Sequence, residues 1–300
     1  MFVHNYRGSI LGLLAWQWRN LVAFVGAAAA AALVHHYAGD LFPKMSPLPV
    51  ATMGGAVGIF VSFRTNSSYQ RWWEGRQLWG RLVNTSRHLT TQALVYLQDR
   101  PEEARAVVRR QMAYVHVLRC KLRDQDPFVD PDVLACLTEE EVASLKGESN
   151  PNHALVQMQM EALVKLRREG VIDPETQRSF DESARALLDI QGGCERIKKT
   201  PFPRGYTFIS DRLILAFGMI LPWTLLNEMG LWALAISVLV CFALALIGEA
   251  GRVLEDPFTM FWPALPLSAL SKTIEINLRQ RLGEKELPSM PAADKRGVLM

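Results

Sequence analysis

The sequence predicts an all-α membrane protein with four transmembrane helices per subunit and a cytosolic helical region. Three observations indicate this class. Long stretches without charge alternate with strongly charged stretches along the 300 residues. One charge-free stretch, Met45–Phe63, is about as long as a helix that crosses the hydrocarbon core of a bilayer. Basic and aromatic residues gather at the ends of these stretches, as they do at membrane interfaces.

The second crossing, at about 47–70, carries two stripes of regularly spaced residues. Gly54, Gly58 and Ser62 recur every four residues, so they share one face of a helix that a neighbouring helix could approach closely. The adjacent stripe has the same spacing and consists of Gly55, Ile59 and Phe63. Periodicity leaves open whether this second stripe faces the same neighbour, lipid or a pore axis shared by several copies.

A basic and aromatic cluster follows this crossing. Its members are Arg64, Arg71, Trp72, Trp73 and Arg76. We expect Trp72, Trp73 and Arg71 to be structural anchors at the membrane interface. Arg64 and Arg71 could attract anions to a pore mouth, but pairing with carboxylates or lipid phosphates is the expected role.

The other crossings are predicted from three further apolar runs. The first, at about 18–37, is rich in alanine and follows an amphipathic interfacial segment, Phe2–Asn20. Leu213–Leu226 and Met229–Gly248 form a hairpin with a very short turn. The predicted organisation is 1–80 for the N-terminal segment and the first two crossings, 81–199 for a cytosolic helical region, 200–250 for the hairpin, 251–282 for a cytosolic helical segment and 283–300 for a flexible tail.

The region 81–199 is predicted to be mostly helical. Asp173-Pro174 is a typical helix start, with a capping residue followed by a first-turn proline. Gly192–Gly193 is a typical helix end. The candidate helices are Arg81–Leu97, Glu102–Asp124, Glu139–Leu145, His153–Arg168 and Pro174–Ile190.

The distribution of basic residues predicts the orientation in the membrane. They flank the crossings on one side only, so the positive-inside rule places both termini and the polar region in the cytoplasm. The basic residues concerned are Arg64, Arg71, Arg76, Arg81, Arg196, Lys198, Lys199, Arg204, Arg212 and Arg252. No convincing cleavable signal peptide precedes the first run.

Several other function classes lack support in the sequence. A formal net charge of +3 is too small to indicate nucleic acid, and there is no nucleic-acid motif. The four cysteines and six histidines show no zinc or other metal spacing, and no catalytic nucleophile or phosphate-binding loop is present. We therefore expect reduced thiols with packing roles, no cofactor, and no enzyme activity.

Five fragments resemble the bestrophin family of ion channels, in its shorter bacterial branch. They are SPLP (46–49), FRTNSSYQRWWEGRQLWG (63–80), GGCERI (192–197), TPFPRGY (200–206) and LEDPF (254–258). The resemblance implies a homopentamer in the bacterial inner membrane. A single central pore, lined by the second helix, would continue through the cytosolic part.

The resemblance also assigns the pore residues. The family has a narrow apolar neck on its second helix, and the matching positions are Gly55, Ile59 and Phe63. Apolar rings gate a pore by dewetting and carry no charge that selects an ion sign. Gly55 departs from the bulkier family residue, so the outer end of the neck should be wider. Glu175 is nearest to the family's cytosolic aperture, although it also fits an ordinary helix start.

Calcium is not expected as a ligand. Eukaryotic relatives bind it just after the fourth crossing with a run of acidic residues, whereas Thr259–Leu270 has no carboxylate. The expected function is passive conduction of small monovalent ions. The family implies chloride and other anions, and a ring of Glu175 would favour cations. A membrane-embedded enzyme and a non-conducting scaffold for a cytosolic partner are the competing interpretations.

Overall fold

The computed structural model describes residues 14–39, 46–260 and 263–292, with the side chain of Arg204 left out. Within these ranges the chain is helical apart from short connections. The helices are α1 Trp18–Tyr37, α2 Pro47–Tyr96, α3 Pro101–Leu122, α4 Pro131–Leu134, α5 Glu139–Leu145, α6 Pro151–Arg168, α7 Pro174–Lys199, α8 Arg204–Met229, α9 Trp232–Val253 and α10 Leu267–Arg281.

The chain divides into two compact units. Among the described residues, the apolar unit contains those up to Trp72 and Pro201–Glu255, and the polar unit contains Trp73–Thr200 and those from Asp256 onward. Among the described residues, four helices are long and apolar enough to cross a membrane: α1, α2, α8 and α9. This agrees with the four crossings predicted from the charge-free runs. Most of the predicted interfacial segment Phe2–Asn20 lies outside the described residues.

The apolar unit is held together by close helix contacts. Phe24 of α1, Val57 of α2, Phe217 of α8 and Cys241 of α9 belong to one buried cluster. Gly54 lies against the ring of Phe217, where an added Cβ would approach within 2.8 Å. Gly54 therefore leaves room for the ring of Phe217 of α8, whereas an added Cβ at Gly58 would meet nothing within 4 Å, so only one glycine of the predicted stripe makes such a contact.

The predicted hairpin is formed by α8 and α9. Gly230 and Leu231 separate the two helices, and Gly230 has φ 58°, a conformation that favours glycine. At the start of α8, residues 201–203 are not helical. Pro201 and Pro203 account for this, because proline removes a backbone donor and restricts the preceding residue.

The polar unit is organised around α3, in which Gln111–Cys120 are all buried. Tyr114 donates a hydrogen bond from its hydroxyl to the carbonyl of Leu187 on α7, at 2.8 Å. Its own carbonyl accepts one from the side-chain amide of Asn152 on α6, at 2.9 Å. These bonds join three helices at the centre of the unit.

Two predictions about helix ends are wrong. The predicted helix Arg81–Leu97 is not separate, because α2 continues without a break from Pro47 to Tyr96. Gly192–Gly193 does not end a helix, because α7 continues to Lys199. Gly193 instead lies against Leu78, where an added Cβ would be 2.8 Å from the side chain. The glycine thus permits a close helix contact.

The cysteines have the packing role that the sequence predicts. Cys120, Cys136, Cys194 and Cys241 are buried and not disulfide-bonded. Burial raises the pKa of the thiols of Cys120, Cys136 and Cys194 to about 12. These three groups are therefore neutral thiols at physiological pH.

A buried polar network joins α3 to α10. Glu275 is 2% exposed and accepts hydrogen bonds from His116 at 3.1 Å and Lys272 at 2.8 Å. Arg279 donates to its second oxygen at 2.9 Å. Burial alone would raise the pKa of Glu275, but the hydrogen bonds from His116 and Lys272 outweigh it and lower the pKa from 4.5 to about 2.

We predict that Glu275→Gln destabilises the protein at neutral pH and has less effect in acid. A carboxyl whose pKa is lowered in the folded state stabilises it above pH 4.5, and this is lost as the pH falls through about 2. The shift corresponds to about 3 kcal/mol at pH 7. Melting temperatures of the variant and the wild type, measured from pH 7 to pH 2, should approach each other as the pH falls.

The exposed residue Glu161 provides the control for this experiment. Glu161→Gln removes the same charge from the polar unit and should leave the melting temperature unchanged at each pH. A Glu275→Gln variant that melts with the wild type at pH 7 would contradict the stabilising role of the network.

Candidate functional site

The stripe Gly55, Ile59 and Phe63 lies on the exposed face of α2. Ile59 is 61% exposed and Phe63 is 65% exposed, although both are large and apolar. The exposed residues of α2 from Leu48 to Gln70 carry no charge. Apolar residues exposed in a continuous row indicate a surface that contacts another chain or lipid, or that lines a pore.

Polar groups on this face are largely satisfied within the helix. Thr52 donates its hydroxyl to the carbonyl of Leu48 at 2.9 Å, and Ser67 donates to the carbonyl of Phe63 at 3.0 Å. These bonds reduce the polarity that the hydroxyls present to their surroundings. The exposed face is therefore mostly apolar along the predicted neck, with Ser62 as its exposed polar side chain.

The opposite face of α2 points into the apolar unit. Val57 and Val61 are buried there, and they are followed one turn later by Arg64. The side chain of Arg64 is 0% exposed. Phe63 and Arg64 are consecutive in sequence, yet Phe63 is exposed and Arg64 faces the interior of the unit.

The guanidinium of Arg64 is bound by two carboxylates. It donates to Asp211 on α8 at 3.3 Å and to Glu255 just after α9 at 3.1 Å. Thr207 also donates its hydroxyl to Glu255, at 3.3 Å. Of the two roles considered from sequence, pairing with carboxylates is therefore the one that Arg64 has.

Arg71, Trp72 and Trp73 lie in α2 just after the predicted second crossing. Arg71 donates its Nε–H to the carbonyl oxygen of Glu255 at 3.1 Å. The rings of Tyr69 and Trp72 are stacked with centroids 6.1 Å apart, and Trp73 is 47% exposed. The predicted role of Arg71, Trp72 and Trp73 as interface anchors stays a prediction.

Glu175 is in the first turn of α7 and is exposed. The preceding Asp173 caps this helix by accepting a hydrogen bond from the backbone N–H of Thr176 at 2.6 Å. Hydrogen bonds from Thr176 lower the pKa of Asp173. The geometry matches the predicted helix start, and the assignment of Glu175 to a cytosolic aperture stays a prediction.

The carboxylates next to α9 are already bound by protein donors. Glu255 accepts from Arg64 and Thr207, and Asp256 accepts from the backbone N–H of Phe258 at 3.0 Å and from Lys198 at 3.1 Å. Residues 14–39, 46–260 and 263–292 contain no cluster of three or more His, Cys, Asp or Glu able to hold a metal ion. A calcium cage needs about six to eight oxygen ligands, and the expectation that calcium is not a ligand stays a prediction.

Comparison with known proteins decides the family. The family model of the bacterial and fungal bestrophin proteins matches residues 2–280. The chain belongs to this family. Family membership identifies it as a channel-type membrane protein and not an enzyme.

Relatives cover nearly the whole chain. The voltage-dependent anion channel-forming protein YneE of Escherichia coli K12 is 31% identical over 97% of this chain and 93% of its own length. The voltage-dependent anion channel-forming protein mll4386 of Mesorhizobium japonicum is 34% identical over 81% of this chain and 78% of its own. A crystal structure of a bacterial bestrophin homolog from Klebsiella pneumoniae is 29% identical, with a TM-score of 0.85 over 90% of this chain and 99% of that chain.

Sequence reasoning did not identify the partners of Arg64. Asp211 and Glu255 are 147 and 191 residues away along the chain, so no local spacing connects them with Arg64. The only available signal was compositional: Asp211 is an acid in the first half of an apolar helix, where a charge needs a partner.

We predict that Arg64→Met destabilises the protein. Glu255 is 22% exposed and would lose its guanidinium partner, whereas Asp211 is 56% exposed and stays hydrated, so we expect a cost below the about 3–5 kcal/mol of a fully buried pair. The melting temperature in detergent should fall clearly. Arg212→Met is the control, because Arg212 is exposed near the start of α8 and lies over the ring of Phe208 at 5.0 Å. Equal melting temperatures for the two variants would contradict the central role of Arg64.

We also predict independence of calcium. Thr259–Leu270 has no carboxylate, and the acids before it are bound by protein donors. Adding a calcium chelator should therefore leave both the ion current and the melting temperature unchanged. A reproducible decrease in either after chelation would show that a calcium site exists.

Proposed function

We propose that the protein is a passive ion channel of the bacterial inner membrane. Five copies would surround one pore, with the exposed face of α2 lining it and both termini in the cytoplasm. The observation that carries the proposal is the division of α2 into two faces. Between Leu48 and Gln70 the one charged residue, Arg64, is buried, whereas Ile59 and Phe63 are exposed and uncharged.

In a pentamer, the exposed face of each α2 would be turned toward the other copies around the pore. Five copies of Gly55, Ile59 and Phe63 would form successive rings around the axis, with the ring of glycines wider than the other two. The ring of Phe63 would be the bulkiest. A constriction of this kind blocks ions when it is dry and conducts when it is wet.

Anions are the proposed permeant ions. The names of the relatives from Escherichia coli and Mesorhizobium japonicum describe anion channel-forming proteins, which supports chloride and similar small ions. Glu175 favours a second candidate, cation conduction, because it is an exposed carboxylate at the position that resembles the aperture.

Purified protein in planar bilayers tests the proposal directly. Ion currents through the reconstituted wild type are expected. A folded protein that stays silent over a range of voltages would favour the alternative of a non-conducting scaffold that binds a cytosolic partner through the polar unit.

We predict that Ile59→Ala combined with Phe63→Ala increases the current several-fold. Smaller side chains widen the neck and make it easier to wet, so the barrier to ions decreases. Single-channel or macroscopic currents in planar bilayers measure the effect. The control combines Val22→Ala on α1 with Leu239→Ala on α9, which also shortens two exposed apolar residues, 60% and 68% exposed. If both double variants conduct like the wild type, the stripe is not the gate.

We predict that substitutions of Glu175 change ion selectivity. A ring of carboxylates attracts cations, so Glu175→Gln should reduce cation preference and Glu175→Lys should move the reversal potential toward anions. The reversal potential in asymmetric salt is the measurement. Glu182 on the same helix is exposed and lies 3.8 Å from Arg178, so Glu182→Gln and Glu182→Lys are matched controls. A wild-type reversal potential in both Glu175 variants would leave Glu175 with only its position at the helix start.

A further inference from the structure

A cavity of about 480 Å³ lies within the apolar unit, away from the exposed stripe of α2. It is formed by the start of α1, the first half of α8 and the last turns of α9. Its volume is in the range of about 300–1,000 Å³ that is typical of small-molecule sites. None of the pore residues discussed above lines it.

The cavity is charged at one end and apolar at the other, and the lining residues of all three helices follow this order. Arg19 on α1 precedes Phe24 by five residues, and Asp211 on α8 precedes Ile214 by three. On α9, which runs back toward the same side of the membrane, Ala245 precedes Glu249. On each helix the apolar residue is therefore nearer the centre of the span, and the charged residue is nearer its end.

This gradient matches a lipid better than a soluble ligand. Trp16 and Trp18 line the charged end, and tryptophan is enriched at the level of lipid headgroups. Phe24 and Ile214 form the buried inner wall of the cavity, at 2% and 4% exposed. Acyl chains leaving a bound headgroup would instead pass Leu215, which lines the cavity and is half-buried.

The charges of the cavity are balanced. Two guanidinium groups, of Arg19 and Arg252, face two carboxylates, of Asp211 and Glu249. Asp211 is already bound to Arg64 at 3.3 Å. Arg252 lies 2.8 Å from Glu249, but its side chain is 57% exposed, so much of its guanidinium is accessible.

The positive groups suit a phosphate. Arg19 lies over the ring of Trp18, with its guanidinium carbon 5.7 Å from the centroid, and its side chain is exposed at the cavity. Guanidinium groups bind phosphate oxygens with paired hydrogen bonds. The side chain of Glu249 is only 10% exposed, and its carboxylate can accept from a second cation that enters the cavity.

We propose that this cavity binds the headgroup of a zwitterionic phospholipid that carries a primary ammonium. The phosphate lies between Arg19 and Arg252, and the ammonium donates to Glu249. The acyl chains leave past Leu215. The lipid would bind beside the Arg64 ion pair and would stabilise the ends of α1, α8 and α9.

The experiment compares phospholipids that differ only in the headgroup. Delipidated full-length protein in detergent is titrated with phosphatidylethanolamine, phosphatidylcholine or phosphatidylglycerol, and the melting temperature is followed. Bound lipids are identified by native mass spectrometry. Phosphatidylcholine has no N–H group to donate to Glu249, so its apparent affinity should be about tenfold lower than that of phosphatidylethanolamine.

Two variants assign the contacts. Arg19→Gln should weaken binding of both zwitterionic lipids, because both carry the phosphate. Glu249→Gln can keep a hydrogen bond to Arg252 but should remove the preference for phosphatidylethanolamine over phosphatidylcholine. Arg212→Gln is the matched control: it removes a basic residue adjacent to Asp211 that does not line the cavity, and lipid binding should equal that of the wild type.

Several results would overturn the proposal. Equal affinity of the wild type for the ethanolamine and choline lipids would exclude recognition of the ammonium. A preference for phosphatidylglycerol would indicate an anion site, and equal stabilisation by soluble phosphoethanolamine would indicate a free metabolite. Unchanged lipid affinity in Arg19→Gln would exclude the phosphate contact. The comparison of lipids on the wild type decides the matter even if Glu249→Gln does not fold.

Discussion

The apolar unit depends on one buried ion cluster, in which Arg64 binds Asp211 and Glu255. A guanidinium with 0% exposure has lost its hydration, and only close carboxylates compensate for that loss. The carboxylate of Asp211 is on α8, and that of Glu255 lies just after the end of α9. The cluster therefore joins α8 and the end of α9 to α2 at one point. Glu255 accepts two further hydrogen bonds. Thr207 donates to its carboxylate, and Arg71 donates to its backbone carbonyl. A shift of α2 by one residue would separate these groups.

This constraint determines which side of α2 is exposed. With Arg64, Val57 and Val61 facing inward, the helical period places Ile59 and Phe63 on the outer side. Gly54 supports the same orientation, because an added Cβ there would require the ring of Phe217 to move. The apolar stripe is thus set by the packing of the opposite face. The residues of the stripe contribute little to the stability of a single subunit. They can therefore be suited to the pore that we propose without affecting the packing of the subunit.

The sequence was sufficient for features that depend on local composition. The crossings could be predicted because a bilayer requires long charge-free helices. The short turn was expected between Leu226 and Met229, but α8 continues to Met229 and the turn lies at Gly230 and Leu231. Long-range partners could not be predicted. Nothing near Arg64 indicates that Asp211 and Glu255 lie beside it, and the two roles considered for Arg64 and Arg71 had to stay open. Gly192–Gly193 was misinterpreted because a glycine that ends a helix and one that admits Leu78 have the same local sequence.

An uncharged stripe has a further consequence for ion selection. Rings of Ile59 and Phe63 control whether water fills the pore, but they attract neither sign of ion. The positive charge nearest in sequence, on Arg64, is neutralised by two carboxylates inside the unit and does not reach the exposed face. In the proposed pore, any preference for anions or cations must therefore come from groups outside the stripe. The neck and the selective group can then be changed independently, which separates control of conduction from choice of ion.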